Sequence, residues 1–252
     1  MAVKSRKSNK VLLGIRLLMP IFAVSFLVWQ ITSMQARNVD DALLESSATV
    51  TTTHIEEYIE FKPATDTLGA GLLFYPGALV DPVAYVPMAR AIAEAGFVVR
   101  IIKVPYRMDR FPWQREAVKE RTDAAVAERN WVLGGHSRGA RMALAYTVEN
   151  EAKLSGLLLI GSSHPREVSH ANLAFPVLKI YGSRDGLASP EEVEQYKHNL
   201  PAHTIWHRVE GGNHAQFAWY GSQLGDDSAT ISREAQHQAT VNVIVEFLNA
   251  IP

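Results

Sequence analysis

The chain has 252 residues, 47% of them hydrophobic and 20% charged, which suits one domain with a sizeable core plus an N-terminal appendage. Residues 1–36 hold five basic residues (Lys4, Arg6, Lys7, Lys10 and Arg16) and no acid, so residues 37–252 carry 20 basic against 26 acidic groups. That acidic balance gives no ground for nucleic-acid binding, and the absence of cysteine excludes a disulfide framework and thiolate-bound metal.

Residues 11–31 are apolar apart from Arg16, Ser25 and Gln30. Counted from Val11, with Arg16 snorkelling toward the basic end, the run has about the twenty residues a helix needs to span a bilayer. The alternative is a cleavable signal and a secreted protein. No A-x-A-like site follows, however: Met34 stands where a small residue is required before Ala36. The expectation is a retained single-pass anchor over residues 1–36. The basic flank would lie inside and the domain on the extracytoplasmic face of the cell membrane.

Residues 37–54, rich in Ser, Thr and acids, read as a linker, and the folded domain is expected over 55–252. Alternation at Ile55, Tyr58, Ile59 and Phe61 predicts an early antiparallel strand. Residues 69–75 read as a buried strand that ends in a loop at Pro76-Gly77-Ala78-Leu79. An amphipathic helix follows, with Val83, Tyr85, Ala89, Ile92 and Ala93 on its buried stripe. Further strands near 97–104, 131–134, 156–160, 177–181 and 204–209 alternate with helical stretches, and residues 231–251 form a closing helix. This is the pattern of an α/β fold: a mostly parallel central sheet with helices on both faces. Only a short segment separates Ser162 from Phe175, so no large lid is expected over the site.

Chemistry concentrates at Gly135-His136-Ser137-Arg138-Gly139, a G-x-S-x-G pentapeptide between a strand and a helix. A serine on such a turn is strained and exposed at a helix N-terminus, where backbone N–H groups can stabilise an oxyanion. A nucleophilic serine needs an acid and a base, in this fold class in the order Ser, Asp/Glu, His. Asp185 follows the strand 175–181, and its alternative role is to cap the helix from Pro190. His214 lies on the glycine-rich turn Glu210-Gly211-Gly212-Asn213-His214 after the last strand. His207 is its nearest competitor but sits within that strand.

Four blocks carry a resemblance: Phe74-Tyr75-Pro76-Gly77, Gly134-Gly135-His136-Ser137-Arg138-Gly139, Tyr181-Gly182-Ser183-Arg184-Asp185-Gly186 and Gly211-Gly212-Asn213-His214-Ala215-Gln216-Phe217. With them the chain from about Leu68 onward resembles the alpha/beta hydrolase superfamily, closest to its small, membrane-anchored fold-5 group. The resemblance implies catalytic Ser137, Asp185 and His214, with the oxyanion held by the backbone N–H groups of Ala78 and Arg138. It implies a carboxylesterase-like serine hydrolase acting on a small-molecule or lipid-like acyl substrate, with no cofactor and no metal. An acyltransferase, or a non-catalytic binding protein on the same fold, is the alternative. One departure stands out: the group usually has an apolar residue and two glycines after the serine, whereas Arg138-Gly139-Ala140 follows here. A cation is thereby expected at the pocket mouth, where it would favour acyl groups bearing a carboxylate or phosphate. Arg107, Arg110, Arg141, His164 and Arg166 also fall in or near bordering loops and read as solvated surface charges.

Overall fold

Alternate residues of the central strands point to opposite faces, and both faces are apolar, as a sheet covered by helices on each side requires. A computed structural model of the chain describes residues 3–65 and 69–251, with side-chain surroundings for residue 16 and from residue 18 onward. The elements run α1 (Val3–Ser33), β1 (Val50–His54), β2 (Tyr58–Pro63), β3 (Gly71–Tyr75), α2 (Val86–Glu94), β4 (Val99–Ile102) and α3 (Pro112–Val126). They continue with β5 (Trp131–His136), α4 (Arg138–Glu149), β6 (Gly156–Ile160), β7 (Val177–Gly182), α5 (Pro190–Gln195), β8 (Ile205–Val209) and α6 (Arg233–Asn249). One eight-stranded sheet has the order β1-β2-β4-β3-β5-β6-β7-β8, parallel except for the antiparallel β1-β2 and β2-β4 pairs.

Leu72, Phe74, Val132, Leu158 and Ile180 share one core with α2 and α6. Their strand neighbours Leu73, Tyr75, Leu133, Leu157 and Leu159 share the other with α3 and α4. Each such side chain, fully buried, contributes roughly 1.5–3 kcal/mol. The order also fixes where chemistry can sit. From β3 the chain crosses to β4 on one side and then to β5 on the other, so a crevice opens between the carboxyl ends of β3 and β5. The loop with Ala78 and the turn with Ser137 both leave the sheet at that crevice.

The stretch read as a linker behaves differently over its second half. Val50–His54 forms β1, the sheet edge, pairing from Val50↔Pro63 to His54↔Ile59. Its threonines lower the hydropathy, yet their β-branching suits a half-solvated edge strand. Residues 161–176 hold neither helix nor strand, and no large lid covers the site.

On α1, Leu18, Met19, Ile21, Phe22, Val24, Leu27 and Val28 are all more than half exposed. Among the described residues no helix is long and apolar enough to cross a membrane. The expected span starts at Val11, and the side chains up to residue 15 and that of Leu17 lie outside the described ones. The last turn of α1 belongs to the domain rather than to the appendage. Met34 is buried and its carbonyl accepts from the Asp81 N–H at 2.9 Å, Ser33 O accepts from Gly221 N–H at 2.7 Å, and Ala36 bridges Tyr220.

Candidate active site

Strand β5 ends at His136, and α4 starts at Arg138, leaving Ser137 alone to turn the chain. Ser137 does so at φ 54°, ψ −117°, a strained conformation for a residue with a Cβ. The turn can close only because its flanks lack side chains. A Cβ on Gly135 would run into the backbone of Gly139, and one on Gly139 into the backbone oxygens of Tyr75 and Pro76. The start of α4 is thereby pressed against the end of β3, beside the loop that carries Ala78.

His214, 1% exposed, lines the same cavity as Ser137. Its Nδ1 lies 2.9 Å from Asp185 Oδ2, a contact that favours the neutral-ring tautomer with the proton on Nδ1 and the lone pair on Nε2. Nε2 is buried and has no hydrogen-bond partner among the described residues. Asp185 is fixed in turn by the N–H groups of Leu187 (2.9 Å) and Ala188 (2.7 Å), both donating to its Oδ1. The helix-capping role weighed for Asp185 falls to Ser189, whose Oγ accepts from Glu192 N–H. His207 lies on β8 and does not line this cavity.

Of the two backbone donors that the resemblance names, Arg138 borders the cavity of Ser137, while Ala78 lies in the loop after β3 outside its lining. Gly77 N–H is used, donating to the Tyr85 hydroxyl at 2.9 Å. The N–H groups of Ala78 and Arg138 have no partner among the described residues. As the first residue of α4, Arg138 cannot donate within the helix.

The cavity beside Ser137 is about 200 Å³, and Arg138, Arg141, Ser162, Ser163, His164 and Arg166 form much of its wall. The Arg138 side chain borders the cavity but is not a free cation there, because its Nε donates to Asp109 Oδ1 at 2.7 Å. Arg166 pairs with Glu192 at 2.6 Å, and Arg107 turns away to Asp81 at 2.8 Å. Neither Arg107 nor Arg110 borders this cavity. His164 is pushed down to about 4 by burial and then by Arg141, Arg166 and Lys179, so it is neutral at pH 7.

A model of the alpha/beta hydrolase family matches residues 71–238, most of the folded part of the chain. The chain belongs to that family. Among curated proteins none matches it. Solved structures share the fold. A predicted CIB-like hydrolase from Thermoplasma acidophilum aligns with TM-score 0.59 at 15% identity, over 78% of this chain and 98% of that one. An arylesterase aligns with TM-score 0.57 at 13% identity, over 84% and 90%. A soluble variant of monoglyceride lipase from Saccharomyces cerevisiae, in complex with a substrate analog, aligns with TM-score 0.58 at 9% identity, over 82% and 96%.

Several residues of this alpha/beta hydrolase besides Ser137, Asp185 and His214 support the site. Asp226 ties the acid and base loops together, accepting from Gly186 and His214 N–H at 3.2 Å each and from Ala215 N–H at 2.9 Å. Gln236 on α6 clamps Asn213, accepting its N–H at 3.0 Å and donating to its carbonyl at 2.7 Å. His136 is fully buried, with Nδ1 2.8 Å from the Tyr85 hydroxyl and its ring centroid 4.5 Å from that of His214. Burial, and then the charge His214 would carry, hold His136 well below its ordinary range and therefore neutral.

Lys179 is the one of these that the sequence could have flagged, as a lone cation inside the apolar strand Val177–Gly182. It is 1% exposed, and its Nζ donates to His164 O at 2.7 Å, bracing the cavity wall from behind. Burial lowers it from 10.5 to about 7. Between those two values the unfolded chain holds the proton more tightly, so stability from this group rises with pH through that window and its burial cost is full below about 7. Lys179→Met is therefore expected to stabilise the protein more at pH 6 than at pH 9. Paired urea midpoints of variant and wild type would read this, and an equal shift at both pH values would contradict it.

Proposed function

We propose that this chain is a carboxylesterase-like serine hydrolase that cleaves an ester or a related acyl bond. The observation that carries this reading is a strained Ser137 sharing a cavity with His214, whose Nδ1 faces Asp185 while its Nε2 is bare. Ser137 Oγ attacks the acyl carbon as His214 Nε2 takes its proton, and Asp185 holds the ring and stabilises the imidazolium. The N–H groups of Ala78 and Arg138 hold the tetrahedral oxyanion. Its collapse expels the alcohol, which receives the proton from His214. Water, deprotonated by His214, then releases the acid and restores Ser137. The reaction as written runs on side chains and backbone, without a cofactor. A fluorophosphonate probe should label the wild-type protein and not Ser137→Ala, and labelling of both alike would reject Ser137 as the nucleophile.

The same reading attaches the enzyme to a membrane through α1, with the catalytic domain on the extracytoplasmic side. Its support is an apolar surface exposed all round the helix, with the basic residues ahead of it. The full chain is expected to pellet with membranes. A chain lacking residues 1–28, which keeps the docked turn at Ser33 and Met34, is expected in the soluble fraction. Recovery of a mature N-terminus near residue 36 by mass analysis would instead show a cleaved signal.

A further inference from the structure

Most cationic side chains around the nucleophile's cavity are already answered. Asp109 neutralises Arg138, and Glu192 neutralises Arg166. His164 is neutral, and Lys179 reaches the cavity wall only through the His164 carbonyl. Arg141 differs. It lies one turn after Ser137 on the same face of α4, its N–H donating to Ser137 O at 3.3 Å. Its guanidinium is exposed, borders the cavity and has no hydrogen-bond or ion-pair partner among the described residues. It also borders the larger groove beyond Arg138, so it stands on the wall between the two spaces.

Two hydroxyls face the same space with protons to spare. Ser162 and Ser163 are each 4% exposed. Ser162 Oγ accepts from His164 N–H at 3.2 Å, and Ser163 Oγ accepts from Arg166 Nε at 2.8 Å. Neither hydroxyl proton has an acceptor among the described residues. One unanswered guanidinium with two uncommitted hydroxyl donors is the donor set of an oxyanion site.

We propose that Arg141, with Ser162 and Ser163, binds a carboxylate at the far end of a short acyl chain, so that the preferred substrates are half-esters of small dicarboxylic acids. The proposal rests on the hydrolase reading and specifies its substrate class. A single excess positive charge matches a monoanionic carboxylate rather than a phosphate dianion, and a cavity of about 200 Å³ suits a short chain. The residue that departs from the family pattern, Arg138, serves indirectly: its ion pair with Asp109 leaves Arg141 as the free charge.

The test compares monoethyl glutarate with ethyl pentanoate by pH-stat, using the full-length protein in detergent. The kcat/KM ratio of half-ester to neutral ester should fall about fivefold in Arg141→Gln, the scale of a partly exposed ion pair. It should be largely restored in Arg141→Lys and should shrink with salt in the wild type. Arg110→Gln, an exposed arginine away from the cavity, should leave the ratio where it was. Glutarate binding by calorimetry separates the two readings. If no ester turns over yet glutarate binds the wild type and not Arg141→Gln, the subsite stands and the hydrolase reading falls. A ratio and a glutarate affinity both unmoved by Arg141→Gln would overturn the subsite, whatever the turnover. Phosphate binding more tightly than glutarate would overturn the assignment to a carboxylate.

Discussion

Ser137→Ala and His214→Ala should each cut kcat on a small ester by about 10⁴-fold or more, with Asp185→Asn close behind. Combining any two should add little, because the three act as one unit and the residual rate comes from binding and the oxyanion donors. None of the three should unfold the protein. Ser137 is part-exposed and leaves a strained turn intact, while the Asp185 amide keeps its Oδ1 contacts to Leu187 and Ala188. Far-UV circular dichroism would check this alongside the kinetics. The informative member is His214→Ala. Retained turnover would not bring back His207, which lies away from the cavity on β8. It would instead name His136, whose ring stacks 4.5 Å from that of His214. His136 makes a poor base, because its Nδ1 is engaged by Tyr85 and it is fully buried, outside the lining of the cavity that holds Ser137. A loss of less than tenfold in His214→Ala would therefore sink the proposed base outright.

The turn at Ser137 and the loop positions of Asp185 and His214 were legible in the sequence because each depends on a local constraint. Gly135 and Gly139 are required by backbone contact, Asp185 follows a buried strand, and His214 sits on a glycine-rich turn. Periodicity likewise exposed the parallel strands, since buried strands are continuous apolar runs. What escaped depends on residues far apart in the chain. Asp226 reaches back to Gly186, Gln236 clamps Asn213 across 23 positions, and Tyr85 meets His136 across 51. No spacing encodes such contacts. Arg138 shows the same limit: the sequence places a cation beside the nucleophile, but its neutralisation by Asp109, 29 positions earlier, exists only in the fold. Thr51, Thr52 and Thr53 failed in the other direction, since polarity read as linker what β-branching makes an edge strand.

Gly139→Ala should be the most damaging single methyl that can be added near the site, and in two ways at once. The new Cβ meets the carbonyl oxygens of Tyr75 and Pro76, which are backbone atoms and cannot swing aside as a side chain would. Either α4 lifts from β3 or the loop after β3 moves. The expected cost is about 3 kcal/mol of stability, at the upper end for overpacking. Both movements also shift Ala78 relative to Arg138, the pair proposed to hold the oxyanion. Losing one well-placed donor is worth about 10²–10³ in kcat. The control is Gly134→Ala, one strand position before the elbow. There the contacts are with Leu158 alone: Cβ at 3.0 Å, which a shift of a few tenths of an ångström relieves, and Cδ2 and Cγ at 3.1 and 3.2 Å, which side-chain rotation can move. That variant should lose about 1 kcal/mol and keep its kcat within a few-fold. Urea unfolding with esterase kinetics on both variants would separate the outcomes. Gly139→Ala with kcat near wild type would mean that the contact between α4 and the end of β3 does not position the oxyanion donors. Equal losses in both variants would point to general destabilisation of β5 rather than to the geometry of the turn.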